Sequence, residues 1–213
     1  ILAGGTMAKY VGGDFYDFFR IDQDRLGFVI ADVAGKGVPA AIFMAISRTV
    51  IRTSALTENS AAMCMQRSNT FLCQENVNEM FVTAFYGILN LNTGLVTYCN
   101  AGHNPPVLMK ADNTVVSVPL TNDFILGGVE NMTYHEKTLQ LSPGDNLLLY
   151  TDGITEAMNT CHEQYSEKRL LENCRELIGK SPKEIVDRIT ETVGKFVVGA
   201  VQSDDITLFS ITY

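Results

Sequence analysis

The chain has 213 residues, of which 46% are hydrophobic, and its 24 acidic and 16 basic residues leave a formal net charge of −8. This length is enough for one domain with a sizeable core, and the acidic balance argues against nucleic acid as a partner, because phosphate backbones are bound by basic surfaces. No apolar run reaches the roughly 20 residues that a membrane-spanning helix needs, which predicts a soluble chain without a membrane segment.

Hydrophobic periodicity predicts strands throughout the chain and helices in two clusters. Alternation with a period of two indicates a strand, whereas apolar residues three and four apart indicate a helix. Turn residues at Asn92-Thr93-Gly94, Asp112-Asn113 and Pro143-Gly144-Asp145 separate the strands in the middle of the chain. The predicted strands are one whose start is flanked by Asp14 and Asp17, and residues 26–31, 81–91, 95–100, 106–110, 114–118, 133–141, 146–150 and 206–213. The predicted helices are residues 39–56, 60–76, 167–178 and 182–197.

The clustering of the helices favours antiparallel sheets with helices packed outside them over a doubly wound parallel sheet. No internal repeat, low-complexity segment or linker interrupts the sequence, so we interpret residues 1–213 as a single domain. The start, Ile1-Leu2-Ala3-Gly4-Gly5, carries no signal peptide and resembles the interior of a longer protein. The five cysteines lack CxxC spacing, which favours a reducing, cytoplasmic location over a disulfide framework or a zinc site.

Several aspartates lie beside the most apolar strands. Asp32 follows Phe28-Val29-Ile30-Ala31, Asp152 follows Leu147-Leu148-Leu149-Tyr150-Thr151, and Asp204-Asp205 precedes Ile206. Each could simply cap a turn or a helix, but capping does not explain why they accompany apolar strands. If the fold brings these carboxylates together, their repulsion requires a cation among them, and hard oxygen ligands select Mg²⁺ or Mn²⁺.

Five separated motifs carry a family resemblance. In chain order they are GGDFYD at residues 12–17, DVAGKG at 32–37, AGHNP at 101–105, YTDGITE at 150–156 and DDITL at 204–208. With these motifs the sequence resembles the SpoIIE-type serine phosphatases, the bacterial branch of the metal-dependent phosphatases related to protein phosphatase 2C. The resemblance implies an α+β fold of the protein phosphatase 2C type, an α-β-β-α sandwich in which helices flank two antiparallel sheets. It also implies two Mn²⁺ or Mg²⁺ ions at one edge of the sheets.

The same resemblance implies a role for each acidic residue. Asp32 would bridge both metals, and the Val33 carbonyl would ligate one of them. Two metals about 3.5–4 Å apart lower the pKa of a bridging water and clamp the phosphoryl oxygens for in-line attack. Asp152 and Asp204 would be metal ligands, with Asp205 the less favoured of the last pair. Asp14 would contact the metals through bound waters, and Asp17 would make the same kind of contact more weakly.

By resemblance, the activity would be hydrolysis of phosphoserine or phosphothreonine on an anti-sigma-factor antagonist in a partner-switching pathway. The chain would form the C-terminal part of a longer protein with an upstream sensor domain. The sequence does not decide whether the chain forms a homodimer. One alternative is a catalytically inactive relative that binds the phosphoprotein as a scaffold, although such a protein has no reason to keep costly clustered acids. A second alternative is a metal-dependent hydrolase of small phosphoesters.

Three further features have two interpretations each. His103 serves either as a polar structural residue, which we favour, or as a proton donor. Eukaryotic relatives carry a histidine, thought to protonate the leaving group, at the position of Ala34. The identity of the general acid therefore stays open. Lys36 is either a phosphate ligand or, as we prefer, an exposed lysine without a specific role. The first two helices are either ordinary core elements or a regulatory element that moves the turn carrying Asp32 and Val33.

Overall fold

The structure is a computed structural model that describes residues 2–6, 12–74, 80–200, 202 and 204–213, with only the backbone described for residues 2–6. Within these ranges no helix combines the length and apolar character needed to cross a membrane. The elements in chain order are β1 (Leu2–Thr6), β2 (Phe15–Arg20), β3 (Arg25–Val33), α1 (Val38–Thr57), α2 (Ala61–Gln74), β4 (Val82–Asn90), β5 (Leu95–Ala101), β6 (Val107–Met109), β7 (Val115–Ser117), β8 (Lys137–Gln140), β9 (Asn146–Tyr150), α3 (Asp152–Thr155), α4 (Ser166–Glu176), α5 (Pro182–Phe196) and β10 (Ile206–Thr212).

The chain divides into two compact units. Unit 1 consists of Ile1–Tyr10, Asn104–Val118 and Ser142–Tyr213, and unit 2 consists of Val11–His103 and Pro119–Leu141. Each unit contains one five-stranded antiparallel sheet, in the order β1-β10-β9-β6-β7 in unit 1 and β2-β3-β4-β5-β8 in unit 2. In the part of the chain that the structure describes, two antiparallel sheets and five helices confirm the predicted α+β class.

In unit 2, α1 and α2 pack on one face of the sheet. Apolar residues recur every three or four positions along the helices and every second position along the strands, so each element presents one apolar face. Phe43 and Ile51 of α1 lie in the same buried cluster as Val29, Ala31 and Val33, the alternate residues of β3. The helix begins after Gly37, with Pro39 in its first turn, where a missing N–H costs no hydrogen bond.

In unit 1, α4 and α5 cover the sheet. Ile185, Ile189 and Val193 form the buried stripe of α5 and pack in one cluster with Tyr150 and Leu208 from the central strands. The start of α5 is fixed by a capping box. The Ser181 side chain accepts a hydrogen bond from the Glu184 N–H, and the Glu184 side chain accepts one from the Ser181 N–H.

The predicted order of elements is confirmed, with two additions and a few changes of boundary. Strand β1 and the single-turn helix α3 are present although neither is predicted. Strand β8 is shorter than the predicted residues 133–141, because the His135 N–H donates to the Asp123 carboxylate instead of to a neighbouring strand. Helix α2 extends to Gln74, and the last two residues of its predicted range, 75 and 76, lie outside the described residues.

Candidate functional site

In unit 2, Asp32 and Val33 are the last two residues of β3, so the strand extends past its predicted end at Ala31. They pair with Thr83 and Val82 of β4 on one side. On the other side, Phe15 pairs with Ala31, so that Asp14, one residue before Phe15, lies at the same end of the sheet as Asp32. Both aspartates are partly buried. The structure therefore brings the first two predicted site residues together.

The Val33 carbonyl is closely packed against Gly13. A Cβ atom added to Gly13 would lie 2.8 Å from the Val33 carbonyl oxygen, closer than van der Waals contact permits. Only glycine therefore lets the segment before Asp14 pass over the end of β3. The turn that follows uses two more glycines with left-handed backbones, Gly35 at φ 97° and Gly37 at φ 81°. The sequence in this region places α1 only five residues after the Val33 carbonyl.

In unit 1, a second group of aspartates lies at the common end of β9 and β10. The Thr151 N–H donates to the Thr207 carbonyl at 3.1 Å, and the Thr207 N–H donates to Thr151 Oγ1 at 3.0 Å. These bonds continue the β9–β10 ladder to the residue before Asp152, which begins α3. Burial raises the pKa of the Tyr150 phenol, which lies two residues earlier.

Gly153 brings this aspartate next to the Asp204-Asp205 pair. A Cβ atom added to Gly153 would lie 1.8 Å from the Asp205 carbonyl oxygen, so no other residue fits without moving the backbone. The loop before β10 is held by two local bonds. The Asp205 N–H donates to Asp204 Oδ1 at 2.9 Å, and Gln202 Nε2 donates to the Asp204 carbonyl at 2.8 Å. The three acidic side chains are partly buried.

The donor set suits a hard divalent cation. It consists of carboxylate oxygens and one backbone carbonyl, the ligands that Mg²⁺ and Mn²⁺ prefer. Across the described residues, however, no three His, Cys, Asp or Glu side chains are grouped closely enough to hold a metal ion. The structure thus brings the predicted ligands together within each unit, as Asp14 with Asp32 and Asp152 with Asp204-Asp205. Their assembly into one binuclear centre stays a prediction.

Asp17 has contacts that the sequence analysis missed. Its buried carboxylate, 6% exposed, accepts hydrogen bonds from Arg52 Nη1 at 3.0 and 3.1 Å and lies 3.2 Å from Arg48 Nε. The two arginines lie one helical turn apart on α1, and the Arg52 guanidinium also covers the Phe19 ring. These contacts hold α1 against β2, which gives Asp17 a structural role. The spacing of the arginines is visible in the sequence, but their partner is not.

His103 is 3% exposed, and its Nδ1 lies 2.8 Å from Thr83 Oγ1. The Asn100 side chain fixes its backbone by accepting from the His103 N–H at 2.8 Å and donating to its carbonyl at 2.9 Å. Because Thr83 pairs with Asp32 across the sheet, this buried histidine supports the strand beside the site. The contacts agree with the favoured structural interpretation. Lys36 is exposed, which both interpretations of this residue allow.

Comparison with known proteins places the chain in a family. Residues 22–213 match the family described as Stage II sporulation protein E (SpoIIE). The chain is 30% identical over 204 residues to the phosphoserine phosphatase RsbU of Bacillus subtilis, covering 94% of this chain and 59% of RsbU. It is 29% identical over 232 residues to protein IcfG of Synechocystis sp., covering 96% of this chain and 36% of that protein. The chain therefore spans less than two thirds of each relative.

Solved structures share the fold. The SiaA-PP2C domain of Pseudomonas aeruginosa superposes with a TM-score of 0.89 over 100% of this chain and 85% of that domain, at 18% identity. The RsbU and RsbW domains of Rv1364c from Mycobacterium tuberculosis give 0.81 over 99% of this chain and 58% of that one, at 26% identity. RsbX in complex with magnesium gives 0.69 over 98% of this chain and 92% of RsbX, at 19% identity.

The solved structures define the class as a domain with the protein phosphatase 2C-like fold. Within that class, the chain belongs to the SpoIIE family. The family resemblance carried by the five sequence motifs is confirmed.

Proposed function

We propose that this chain is an active phosphatase that hydrolyses phosphoserine or phosphothreonine on a regulatory protein, with two Mn²⁺ or Mg²⁺ ions as cofactors. The observation that carries the proposal is the close packing of glycines at both groups of aspartates. Gly13 lies against the Val33 carbonyl and Gly153 against the Asp205 carbonyl, so the backbone at each group is tightly constrained. Membership of the SpoIIE family and the similarity to phosphoserine phosphatase RsbU support the activity.

In this proposal the residues that would hold the two ions are Asp32, Val33 through its carbonyl, Asp152 and Asp204. Asp205 is the alternative to Asp204, and Asp14 binds through water. When bound, the ions supply a water of lowered pKa as the nucleophile and neutralise the charge on the phosphoryl group. The oxygen-only donor set fits this choice of ions, and RsbX, which shares the fold, was solved with magnesium.

The substrate in this proposal is a phosphorylated protein of the anti-sigma-factor antagonist type. The similarity to RsbU, and to a protein in which RsbU and RsbW domains occur together, supports a partner-switching pathway in the cytoplasm. A protein substrate also suits an acidic chain better than a nucleic acid would.

Regulation in this proposal acts through α1. Its outer face exposes large apolar side chains, with Val38 63% and Ile42 58% exposed. The relatives are longer than this chain, so a preceding sensor segment is the proposed occupant of that face. Because α1 starts five residues after the Val33 carbonyl, a shift of the helix would move this ligand. Deuterium exchange of α1 with and without the sensor segment tests this step; equal protection in both states would contradict it.

The experiment that tests the function is a phosphoserine-peptide assay with and without Mn²⁺. Asp32→Asn and Asp152→Asn should each lower kcat/KM more than about 100-fold, because changing a metal ligand costs more than the roughly 10–100-fold of an outer-shell change. Asp187→Asn, an exposed aspartate on α5, is the matched control and should keep wild-type kcat/KM. Full activity of either ligand variant would reject the site. A folded wild-type chain that binds the phosphopeptide without hydrolysing it would indicate the scaffold alternative.

A further inference from the structure

Unit 1 contains a largely apolar cavity of about 220 Å³ beside the second group of aspartates. Helix α5 forms one wall with Thr190, Val193 and Gly194. Ala157 and Ile206 line the cavity as well. This volume lies below the roughly 300–1,000 Å³ of pockets that take drug-sized ligands, so the cavity suits one aliphatic side chain.

A glycine inside a helix lines the cavity. Gly194 lies two residues before the end of α5, where glycine is less favourable than alanine because it loses more backbone freedom on folding. A Cβ atom added at this position would meet no atom within 4 Å. The space beside Gly194 therefore accepts a side-chain atom without displacing a neighbour.

The cavity also reaches the candidate active site of unit 1. Gly153, which follows Asp152, lines it, and so does Asp204. Gly153 also packs closely against the carbonyl of Asp205, the residue after Asp204. A peptide chain advances about 3.3 Å per residue when extended. A side chain within a few residues of a phosphoserine bound at these aspartates can therefore reach the cavity.

We propose that this cavity binds an aliphatic side chain of the phosphoprotein substrate, of leucine or similar size, close to the phosphoserine. The inference rests on the proposed function, because it requires the phosphoserine to bind at Asp152 and Asp204. It adds a specificity site to the chain. Val193 and Ile206 supply its apolar walls, and Gly194 lines it without a side chain.

The test uses peptides that carry a non-hydrolysable phosphonate analogue of phosphoserine at the centre of nine otherwise identical residues. One series has alanine at every flanking position, and the others replace a single flanking alanine by leucine. Calorimetric titration in Mg²⁺ gives the Kd of each peptide. We expect one leucine position to lower Kd about tenfold, because burial of a leucine side chain favours binding by at least this factor.

Two variants test whether the cavity causes that preference. Gly194→Leu fills the cavity and should abolish the gain from the leucine peptide, and Thr190→Leu, on the same wall, should do the same if Gly194→Leu fails to fold. Lys195→Leu adds the same side chain to an exposed neighbour that does not line the cavity, so the tenfold preference should remain. No preference at any position, no measurable binding of any peptide, or a preference that survives in the filled variants would overturn the inference.

A separate assay keeps the proposed function distinguishable. Hydrolysis of p-nitrophenyl phosphate by the wild-type chain in Mn²⁺ reports the phosphatase activity without any peptide. Absence of hydrolysis together with a leucine preference would reject the activity and keep the binding site. Hydrolysis without a leucine preference would keep the activity and reject the binding site.

Discussion

Replacement of Gly13 by alanine tests how the backbone supports the proposed metal ligand at Val33. The new Cβ would lie 2.8 Å from the Val33 carbonyl oxygen, whereas ordinary contact begins at 3.4 Å, so the two atoms must separate by about 3.4 − 2.8 = 0.6 Å. The Cβ is attached rigidly to the backbone and the carbonyl oxygen is part of it, so no flexible side chain absorbs the movement. Oxygen–Mg²⁺ distances of about 2.0–2.1 Å tolerate changes of only about 0.2 Å. The required shift is therefore about three times larger than the site accepts.

We expect Gly13→Ala to weaken Mn²⁺ binding about 10–100-fold, the range seen when the support of a metal ligand is disturbed. Isothermal titration calorimetry with Mn²⁺ measures the affinity, and thermal unfolding shows that the variant is folded. Gly194→Ala is the matched control, because the same chemical change there meets no atom within 4 Å. A folded Gly13→Ala variant with wild-type Mn²⁺ affinity would refute the proposed role of the Val33 carbonyl.

Three other predictions concern stability. Gly194→Ala should raise the melting temperature by about 2–4 °C, since alanine is about 1 kcal/mol better than glycine in a helix; an unchanged or lower value would contradict the open space at this position. Asp17→Asn should lower the free energy of unfolding in urea by about 1–2 kcal/mol, because Arg48 and Arg52 lose a buried partner but stay half-exposed; a change as small as that of Asp187→Asn would show that the ion pairs contribute nothing. Burial raises the pKa of the Cys64 and Cys174 thiols from 9.0 to about 12, so these thiols ionise at lower pH in the unfolded chain than in the folded one. The free energy of unfolding should therefore fall as the pH rises from 9 towards 12. A free energy of unfolding in urea that does not change over this pH range would contradict the prediction.

Local patterns in the sequence predict much of unit 2 and of the strands that carry the acids. The apolar run before Asp32 and the alternation around the Asn92-Thr93-Gly94 turn each define an element by themselves. Strand β1 lacks such a pattern, since Leu2–Thr6 contains two glycines and little apolar surface, and it forms by pairing with β10 from the other end of the chain. Helix α3 is a single turn, too short to show a helical period.

The candidate site is only partly predictable for a similar reason. Strand ends indicate Asp32, Asp152 and the Asp204-Asp205 pair, because each lies next to a strongly apolar run, whereas the GGDFYD motif indicates Asp14. The contact of Gly13 with the Val33 carbonyl depends on how distant segments pack, which one sequence does not reveal. The partners of Asp17 and the cavity beside Gly194 are tertiary features of the same kind.

The central claim is that aspartates from separate strands bind two divalent cations. Anomalous X-ray diffraction at the manganese absorption edge, from crystals grown in Mn²⁺, tests it most directly. We expect two anomalous peaks about 3.5–4 Å apart, with Asp32 contacting both and Asp152 and Asp204 or Asp205 contacting one. Crystals of the folded, metal-saturated chain without manganese at Asp32, or with Asp152 and Asp204 remote from it, would contradict the claim.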